Sequence, residues 1–348
     1  MTDLSARKAD HLDLATSGDV GFQKRTTLFE CIELVHDALP ELELASIDTS
    51  TTLLGKRLAA PILIAAMTGG TERAERINHE LAAIAEERGY AFGLGSQRAM
   101  LKNPAALATY AVRSVAPEML LLGNLGVVQA GKLKSDEVRE LCAAVGADAL
   151  CVHLNPAMEL IQSDGDRDFR GCLATLERLA RELPIPVVAK ETGCGLSSSV
   201  AARLKQHGIR HVDVSGAGGT SWVAVEMHRA AGTGRALGET FRDWGIPTAA
   251  SVLFTARQGF ETIFATGGIR DGLDIAKAVA LGASAAGIAR SSLQALETGG
   301  RAAALAFFDR LEAELKTAML LVGARDLAAL RRAPRLVRGE LATWATLA

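Results

Sequence analysis

The chain has 348 residues, of which 49% are hydrophobic and 22% are charged, and 38 Lys and Arg against 40 Asp and Glu give a net charge of −2. This length and composition are typical of one globular domain with a large core. The balanced charge argues against a general nucleic-acid binder and against a polybasic membrane anchor, but it allows a local basic pocket.

The cysteines are scattered, odd in number and without a CxxC pair, so neither a disulfide framework nor a zinc site is expected. They are Cys31, Cys142, Cys151, Cys172 and Cys194. The first twelve residues are charged and no apolar core follows them, so no secretory signal is expected. The longest apolar run, Leu58–Met67, is too short to span a bilayer. We therefore expect a cytoplasmic protein.

Residues 1–60 precede the first well-defined strand and are expected to form an N-terminal extension. Arg7, Lys8 and His11 form a basic triplet within it. Such tails are usually just solvated. If this one folded over the mouth of the domain, the triplet would neutralise an anionic ligand such as a diphosphate and would exclude water.

Short apolar runs then alternate with helical patterns. Strands are predicted at Ile62–Ala66, Ala91–Leu94, Leu120–Gly123, Ala149–His153, Val187–Lys190, Val212–Ser215, Ile263–Thr266 and Ala285–Ala289. Helices are predicted at Ala74–Arg88, Ser135–Val145, Cys172–Glu182, Ser197–Gln206 and Gly272–Leu281. Strand–helix alternation implies parallel pairing, and uniformly apolar runs indicate strands covered by helices. Eight units predict an α/β fold, a single-domain (β/α)₈ TIM barrel over residues 1–348, with a doubly wound open sheet as the alternative.

Polar side chains follow several predicted strands, where the catalytic groups of barrel enzymes gather. In strand order they are Met67 with Thr68, Ser96 with Arg98, Asn124, and Lys190. Any one of them is compatible with a helix cap, but four polar strand ends at one mouth favour a site. A buried lysine at this mouth would stabilise negative charge on a bound ligand.

The fourth strand leads into His153, Asn155 and Met158-Glu159. A carboxylate near a diphosphate is repulsive unless a cation intervenes, so Glu159 suggests a Mg²⁺ ligand. On pattern alone, however, a solvated charged loop is the better interpretation of this segment.

The sixth strand opens an insertion over residues 216–261, and long loops after barrel strands usually build the active site. Its first part, Ser215–Trp222, is rich in glycine and is followed by Glu226, a candidate proton shuttle. A simple helix-entry turn explains this loop about equally well.

The seventh and eighth strands lead into Gly267-Gly268-Ile269-Arg270 and Ala289-Arg290. Barrels commonly bind phosphate at these two loops, so we favour a phosphate site over glycine turns of packing value only. The remaining residues, 299–348, are rich in Ala and Leu and predict C-terminal helices.

Taken together, these residues resemble the type 2, flavin-dependent isopentenyl diphosphate isomerases, nearly from end to end. The matching segments are Arg7-Lys8 with His11, Met67–Gly70, Gly95–Arg98, Gly123-Asn124, His153–Asn155, Gly165–Phe169, Lys190-Glu191, Ser215–Trp222 with Glu226, Trp244–Thr248 and Gly267–Arg270. One such motif is weak, but their order and spacing together are specific to the family.

The resemblance implies a TIM barrel that binds FMN and Mg²⁺, takes electrons for the flavin from NADPH, and converts isopentenyl to dimethylallyl diphosphate without net redox change. It places FMN at Met67, Thr68, Ser96, Asn124, Lys190, Ser215, Thr220, Gly267, Gly268, Arg270, Ala289 and Arg290. It places the prenyl diphosphate at Arg7, Lys8, His11, Ser96, Arg98, His153 and Asn155, and the metal at Glu159. Catalytic roles fall on Glu226, Lys190, His153 and position 158. A tetramer or octamer is implied, with no nucleic-acid or membrane partner.

One residue departs from the family pattern. Met158 stands where the family has a glutamine, and methionine has a similar volume but no amide donor or acceptor. Three interpretations of Met158 follow. The flavin carries out the isomerisation with help from Glu226, or the isomerase activity is weak. Alternatively, the pocket serves another, larger prenyl substrate or a different reaction.

Three rival functions remain open at this stage. A flavin oxidoreductase of the hydroxy-acid oxidase type needs a His–Arg pair near the flavin, for which His228-Arg229 is the nearest candidate. The second is a protein that binds flavin or a prenyl diphosphate without turnover, a hypothesis that only Met158 favours. A barrel dehydrogenase using Cys194 lacks any sign of an activated thiol.

Overall fold

The computed structural model describes residues 4–347, without the side chains of residues 4–6 and 17. The ends of the predicted domain, residues 1–3 and 348, lie outside the described part. Within it, eight parallel strands close into a barrel, which confirms the predicted TIM barrel and excludes the open sheet. The barrel strands are β1 (Ile62–Ile64), β2 (Ala91–Gly93), β3 (Leu120–Gly126), β4 (Ala149–Leu154), β5 (Val187–Glu191), β6 (His211–Asp213), β7 (Thr262–Thr266) and β8 (Ala285–Ile288).

The barrel closes through β8, which pairs with β7 on one side and with β1 on the other. Strands β1, β2, β3, β7 and β8 are buried along their whole length. Parallel strands covered by helices on the outside and by packed side chains on the inside have no polar face, which is why they appear in the sequence as unbroken apolar runs.

The helices surround this barrel and extend beyond it. They are α1 (Leu4–Ser17), α2 (Glu72–Arg88), α3 (Arg98–Lys102), α4 (Val127–Gly131), α5 (Ser135–Val145), α6 (Pro156–Ile161), α7 (Cys172–Glu182), α8 (Ser198–Gln206), α9 (Trp222–Arg229), α10 (Gly232–Phe241), α11 (Thr248–Arg257), α12 (Gly272–Leu281), α13 (Arg290–Leu321), α14 (Leu327–Arg332) and α15 (Gly339–Ala345). Short 3₁₀ turns occupy Phe29–Cys31, Leu44–Ser46, Pro104–Tyr110 and Val112–Ser114. None of these helices combines the length and apolarity that a bilayer crossing needs.

The N-terminal end of the barrel is closed by a hairpin of Thr51–Leu53 and Lys56–Leu58. Its turn holds Leu54 and Gly55 at positive φ, the conformation of a two-residue hairpin loop. Leu53 and Leu58 are buried in one cluster with interior barrel residues such as Phe264. The C-terminal mouth is therefore the end at which a ligand can enter.

The chain termini differ in detail from the sequence-based prediction. The expected C-terminal helical region begins at Gly299, whereas α13 starts at Arg290 and only bends at Gly299 and Gly300, where the backbone leaves helical dihedrals. The expectation of helices alone over 299–348 is wrong for Arg335–Val337, which forms an exposed strand antiparallel to Ile32–Leu34. This strand joins the N-terminal extension to the C-terminal segment.

Candidate active site

A cavity of about 500 Å³ lies at the C-terminal mouth of the barrel, within the usual size range of small-molecule sites. Its wall contains all but one of the residues that the sequence assigned to cofactor, substrate, metal or catalysis. These are Arg7, Lys8, His11, Met67, Thr68, Ser96, Arg98, Asn124, His153, Asn155, Met158, Glu159, Lys190, Ser215, Thr220, Gly267, Gly268, Arg270, Ala289 and Arg290. The predicted proton shuttle Glu226 is the exception, because it lies behind the wall. The closed barrel brings these residues together, because the carboxyl ends of all eight strands meet at one mouth.

Helix α1 lies over the mouth, where it packs against α9 and α13. It contributes Arg7, Lys8 and His11 to the cavity wall. The Lys8 ammonium donates to the Tyr110 hydroxyl at 2.7 Å and to the Ser96 carbonyl oxygen at 3.3 Å. Burial, together with the positive charge of Arg7, lowers the pKa of Lys8 to about 7. The basic triplet therefore faces the cavity rather than open solvent.

Lys190, at the end of β5, forms a buried ion pair with Asp213 of β6, with Nζ and Oδ2 2.7 Å apart. The two residues are direct partners in the strand register, and the other carboxylate oxygen of Asp213 accepts from the Thr266 hydroxyl. Lys190 thus places a positive charge in the cavity wall. The Asp213 carboxylate offsets the free-energy cost of burying this ammonium. Asp213 was not predicted from the sequence, although its position at the end of the strand that follows Lys190 was an available signal.

His153 lies near the end of β4 beside Asn124, and its Nδ1–H donates to the side-chain amide oxygen Oδ1 of Asn124 at 2.7 Å. Burial lowers the pKa of His153 to about 4, with further contributions from the charges of Lys190 and Arg98. The imidazole is therefore neutral at pH 7 in the absence of a ligand. A bound anion would oppose these neighbouring charges and favour the protonated ring.

Helix α6 carries the predicted metal ligand. It starts with Asn155 at the N-cap and Pro156 in its first turn, a common arrangement for beginning a helix. The buried Glu159 carboxylate accepts from the Asn155 amide at 2.8 Å and from the Asp166 backbone N–H at 2.8 Å. In residues 4–347 no group of three or more His, Cys, Asp or Glu side chains is arranged to hold a metal. Glu159 therefore offers a single carboxylate.

Glu226 is anchored behind the wall, on α9, with only 2% of its surface exposed. One of its carboxylate oxygens faces His11 Nε2 at 2.7 Å and accepts from Gln162 Nε2 at 3.2 Å. The other accepts from Arg229 Nη1 at 2.9 Å. Among the partners of Glu226 in the described part of the chain, His11 and Gln162 line the cavity and Arg229 does not. Gln162 was not predicted from the sequence, although it follows Met158 by four residues and therefore lies on the same helix face.

Two glycine-rich loops meet on the opposite side of the cavity. Gly267 and Gly268 have φ of 101° and 81°, which only glycine adopts without strain. A Cβ on Gly219 would lie 2.4 Å from the Gly268 nitrogen, so the loops after β6 and β7 contact each other through bare backbone. The N-terminus of α13, at Ala289 and Arg290, borders the same region. Loops of this type, beside a helix N-terminus, suit a phosphate group.

Two arginines expected at the cofactor make other contacts through their side chains. The Arg290 guanidinium donates to the Ala15 and Gly18 carbonyl oxygens at 2.9 and 2.8 Å, and so holds the end of α1. The Arg270 side chain is 68% exposed and lies 3.6 Å from the Asp274 carboxylate. Both residues border the cavity, but Arg290 also links the end of α1 to the start of α13.

The residues considered for rival functions lie elsewhere. His228 is exposed and contacts the Asp19 carbonyl oxygen, and Arg229 pairs with Glu226 and Asp10. Neither residue lines the cavity. Cys194 is a free thiol whose pKa is raised by burial and by the nearby charge of Glu191, the opposite of activation.

Comparisons with known proteins agree on one family. The profile of the FMN-dependent dehydrogenase family matches residues 2–154 and 152–337. The chain is 47% identical to an isopentenyl-diphosphate delta-isomerase of Synechococcus sp. over 94% of this chain and 95% of the relative. It is 43% identical to an enzyme of the same name from Methanothermobacter thermautotrophicus, over 98% and 95% of the two chains.

Solved structures support the fold alone. A mandelate oxidase variant with a monooxide FMN adduct matches with a TM-score of 0.64 and 19% identity, over 94% of this chain and 95% of that one. A flavocytochrome b2 mutant matches with a TM-score of 0.67 and 18% identity, over 96% and 83%.

Proposed function

Since the chain belongs to the FMN-dependent isopentenyl-diphosphate delta-isomerase family and is an enzyme of that class, we propose that it isomerises isopentenyl diphosphate to dimethylallyl diphosphate at the barrel mouth. The observation that carries the proposal is one cavity lined by basic, glycine-rich and strand-end residues from most segments of the family pattern, although Gly165–Phe169 and Trp244–Thr248 lie outside its wall. We further propose that turnover needs Mg²⁺ and flavin reduced by NADPH.

The residues present fit FMN. The loops around Gly219, Gly267 and Gly268 and the start of α13 are suited to its phosphate, and the buried Lys190 ammonium supplies a cation for the ring. Thr68, Ser96, Asn124, Ser215 and Thr220 offer polar groups between these two ends. When bound and reduced, FMN would supply acid–base chemistry to the alkene.

The diphosphate would bind under α1. Arg7, Lys8 and Arg98 are basic side chains in the cavity wall, which His153 and Asn155 also line. The pKa of Lys8, about 7, means that a bound anion can draw a proton onto this side chain. With α1 over the mouth, water is excluded from the cavity. The reaction needs this exclusion because an alkene competes poorly with water for protons.

The buried Glu159 would share a Mg²⁺ ion with the diphosphate. Mg²⁺ is usually held by one or two carboxylates together with substrate phosphates and water, so a single protein carboxylate is sufficient. The Asn155 amide and the Asp166 N–H orient this carboxylate.

Glu226 and His11 would hold a proton at the rim of the cavity, 2.7 Å apart. Neither Glu226 oxygen borders the cavity, so a proton moves between this pair and the substrate through the His11 ring. Met158 adds an apolar surface to this wall and takes no part in proton transfer.

We also propose a homo-oligomer. Leu237, Phe241 and Trp244 form an exposed apolar patch beside the mouth, with the two aromatic rings 5.7 Å apart. Exposed patches of this kind commonly mark interfaces between proteins. Light scattering of the purified protein tests this, and a monomer at micromolar concentration would overturn it.

The experiment for the function is an anaerobic incubation of the purified protein with FMN, NADPH, Mg²⁺ and isopentenyl diphosphate, analysed for dimethylallyl diphosphate. We expect product in the complete mixture and none when FMN, the reductant or Mg²⁺ is omitted. No product from FMN-loaded, reducible protein would reject the proposed substrate.

A further inference from the structure

Gln162 lies between helix α1 and the buried carboxylate of Glu226. From this geometry we propose that Gln162 is a positioning residue for the isomerisation, holding Arg7 with its carbonyl oxygen and Glu226 with its amide group. The catalytic half of this inference rests on the proposed function, whereas the Arg7 half concerns anion binding alone.

The contacts of Gln162 use both ends of its amide. Oε1 accepts from Arg7 Nη1 at 2.9 Å, and Nε2 donates to Glu226 Oε1 at 3.2 Å. The residue is only 5% exposed and borders the cavity. A cation on one side and a carboxylate on the other allow only one orientation of the amide, so both contacts are fixed together.

Gln162 also differs from the other partners of Glu226. His11 belongs to α1, so its contact with Glu226 is lost if that helix moves away from the mouth. Arg229 lies on α9, the same helix as Glu226, and binds the other carboxylate oxygen. Gln162 sits at the C-cap of α6, on the barrel side of the cavity. Its amide therefore orients the carboxylate from an element that does not depend on α1.

The same amide acts on the binding of the diphosphate. An arginine side chain that is held before the ligand arrives loses less rotational freedom on binding. Met158, one turn earlier on α6, has no group that can replace either contact. Gln162 is thus the amide on this helix face that links the anion-binding helix to the proton-carrying pair.

The test is Gln162→Met, which keeps the side-chain volume and removes both hydrogen bonds. It is measured in the FMN-loaded protein with Mg²⁺, by isothermal titration with inorganic pyrophosphate and by steady-state isomerisation. Losing a hydrogen bond to a charged group corresponds to about tenfold in each quantity, so we expect about tenfold weaker pyrophosphate binding and about tenfold lower kcat. Gln294→Met is the matched control, since Gln294 borders the same cavity but donates to the Thr16 carbonyl oxygen.

Two double variants separate positioning from a general structural effect. In an Arg7→Met background, Gln162→Met should change pyrophosphate affinity less than twofold, and in a Glu226→Gln background it should change kcat less than twofold. The inference would be overturned if Gln162→Met still lowered pyrophosphate affinity and kcat in full in both backgrounds. It would also be overturned if Gln294→Met lowered both quantities by the same factors as Gln162→Met. If the unmodified enzyme forms no product, the proposed function fails, and the pyrophosphate cycle alone decides whether Gln162 positions Arg7.

Discussion

Replacing Asp213 by Asn removes the charge that faces the Lys190 ammonium while leaving the shape of the site nearly unchanged. Asp213 is 1% exposed and Lys190 is 7% exposed, so the ammonium would be left buried without a counter-charge. Removing one partner of a buried ion pair costs about 3–5 kcal/mol. Because Lys190 also borders the cavity, where water reaches it, we expect the lower end of this range, about 3 kcal/mol.

The free energy of unfolding of the FMN-free protein, measured by urea denaturation with circular dichroism, gives this cost directly. The double variant Lys190→Met with Asp213→Asn serves as the control. Since it contains no unpaired charge, it should lose less free energy than the two single variants added together. A loss below about 1 kcal/mol for Asp213→Asn, or strict additivity in the double variant, would refute the argument that this pair is a coupled, buried unit.

Three further predictions concern the cavity wall and its cover. Met158→Gln restores an amide over the cavity and should raise kcat by up to about tenfold, whereas a rate within twofold would show that position 158 is not limiting. The pKa of His153 is lowered to about 4 from 6.5, so the fold disfavours its protonated ring; the free energy of unfolding should fall by up to about 3 kcal/mol as the pH drops from about 6.5 towards 4. His153→Asn should lose that part of the slope, and identical slopes in both proteins would contradict the assignment. Arg290→Met removes two hydrogen bonds to the end of α1, so the amides of α1 should exchange with solvent about tenfold faster in hydrogen-exchange mass spectrometry; unchanged exchange would mean that Arg290 does not hold this helix.

The barrel was predictable because its strands have no polar face. Runs such as Ile62–Ile64 and Ala285–Ile288 are buried on both sides, so hydrophobicity alone marks them, and the alternation with helices then determines parallel pairing. The strand Arg335–Val337 was missed for the opposite reason. It is three residues long and mostly exposed, and it depends on pairing with a segment about 300 residues earlier.

The cavity wall followed from the same topology, since polar residues just after parallel strands must meet at one end of the barrel. The partners of those residues did not follow, because hydrogen bonds between distant segments leave no periodic pattern. Tyr110, which binds Lys8, and Gln162, which joins Arg7 to Glu226, are of this kind. Asp213 was the exception that strand order alone could have identified.

We propose above that the enzyme moves a double bond without net oxidation or reduction. The most direct measurement is the amount of NADPH consumed per dimethylallyl diphosphate formed, under anaerobic conditions with FMN and Mg²⁺. We expect many turnovers for each NADPH oxidised once the flavin is reduced. Consumption of one NADPH per product, or steady NADPH oxidation coupled to substrate without dimethylallyl diphosphate, would contradict it and favour an oxidoreductase.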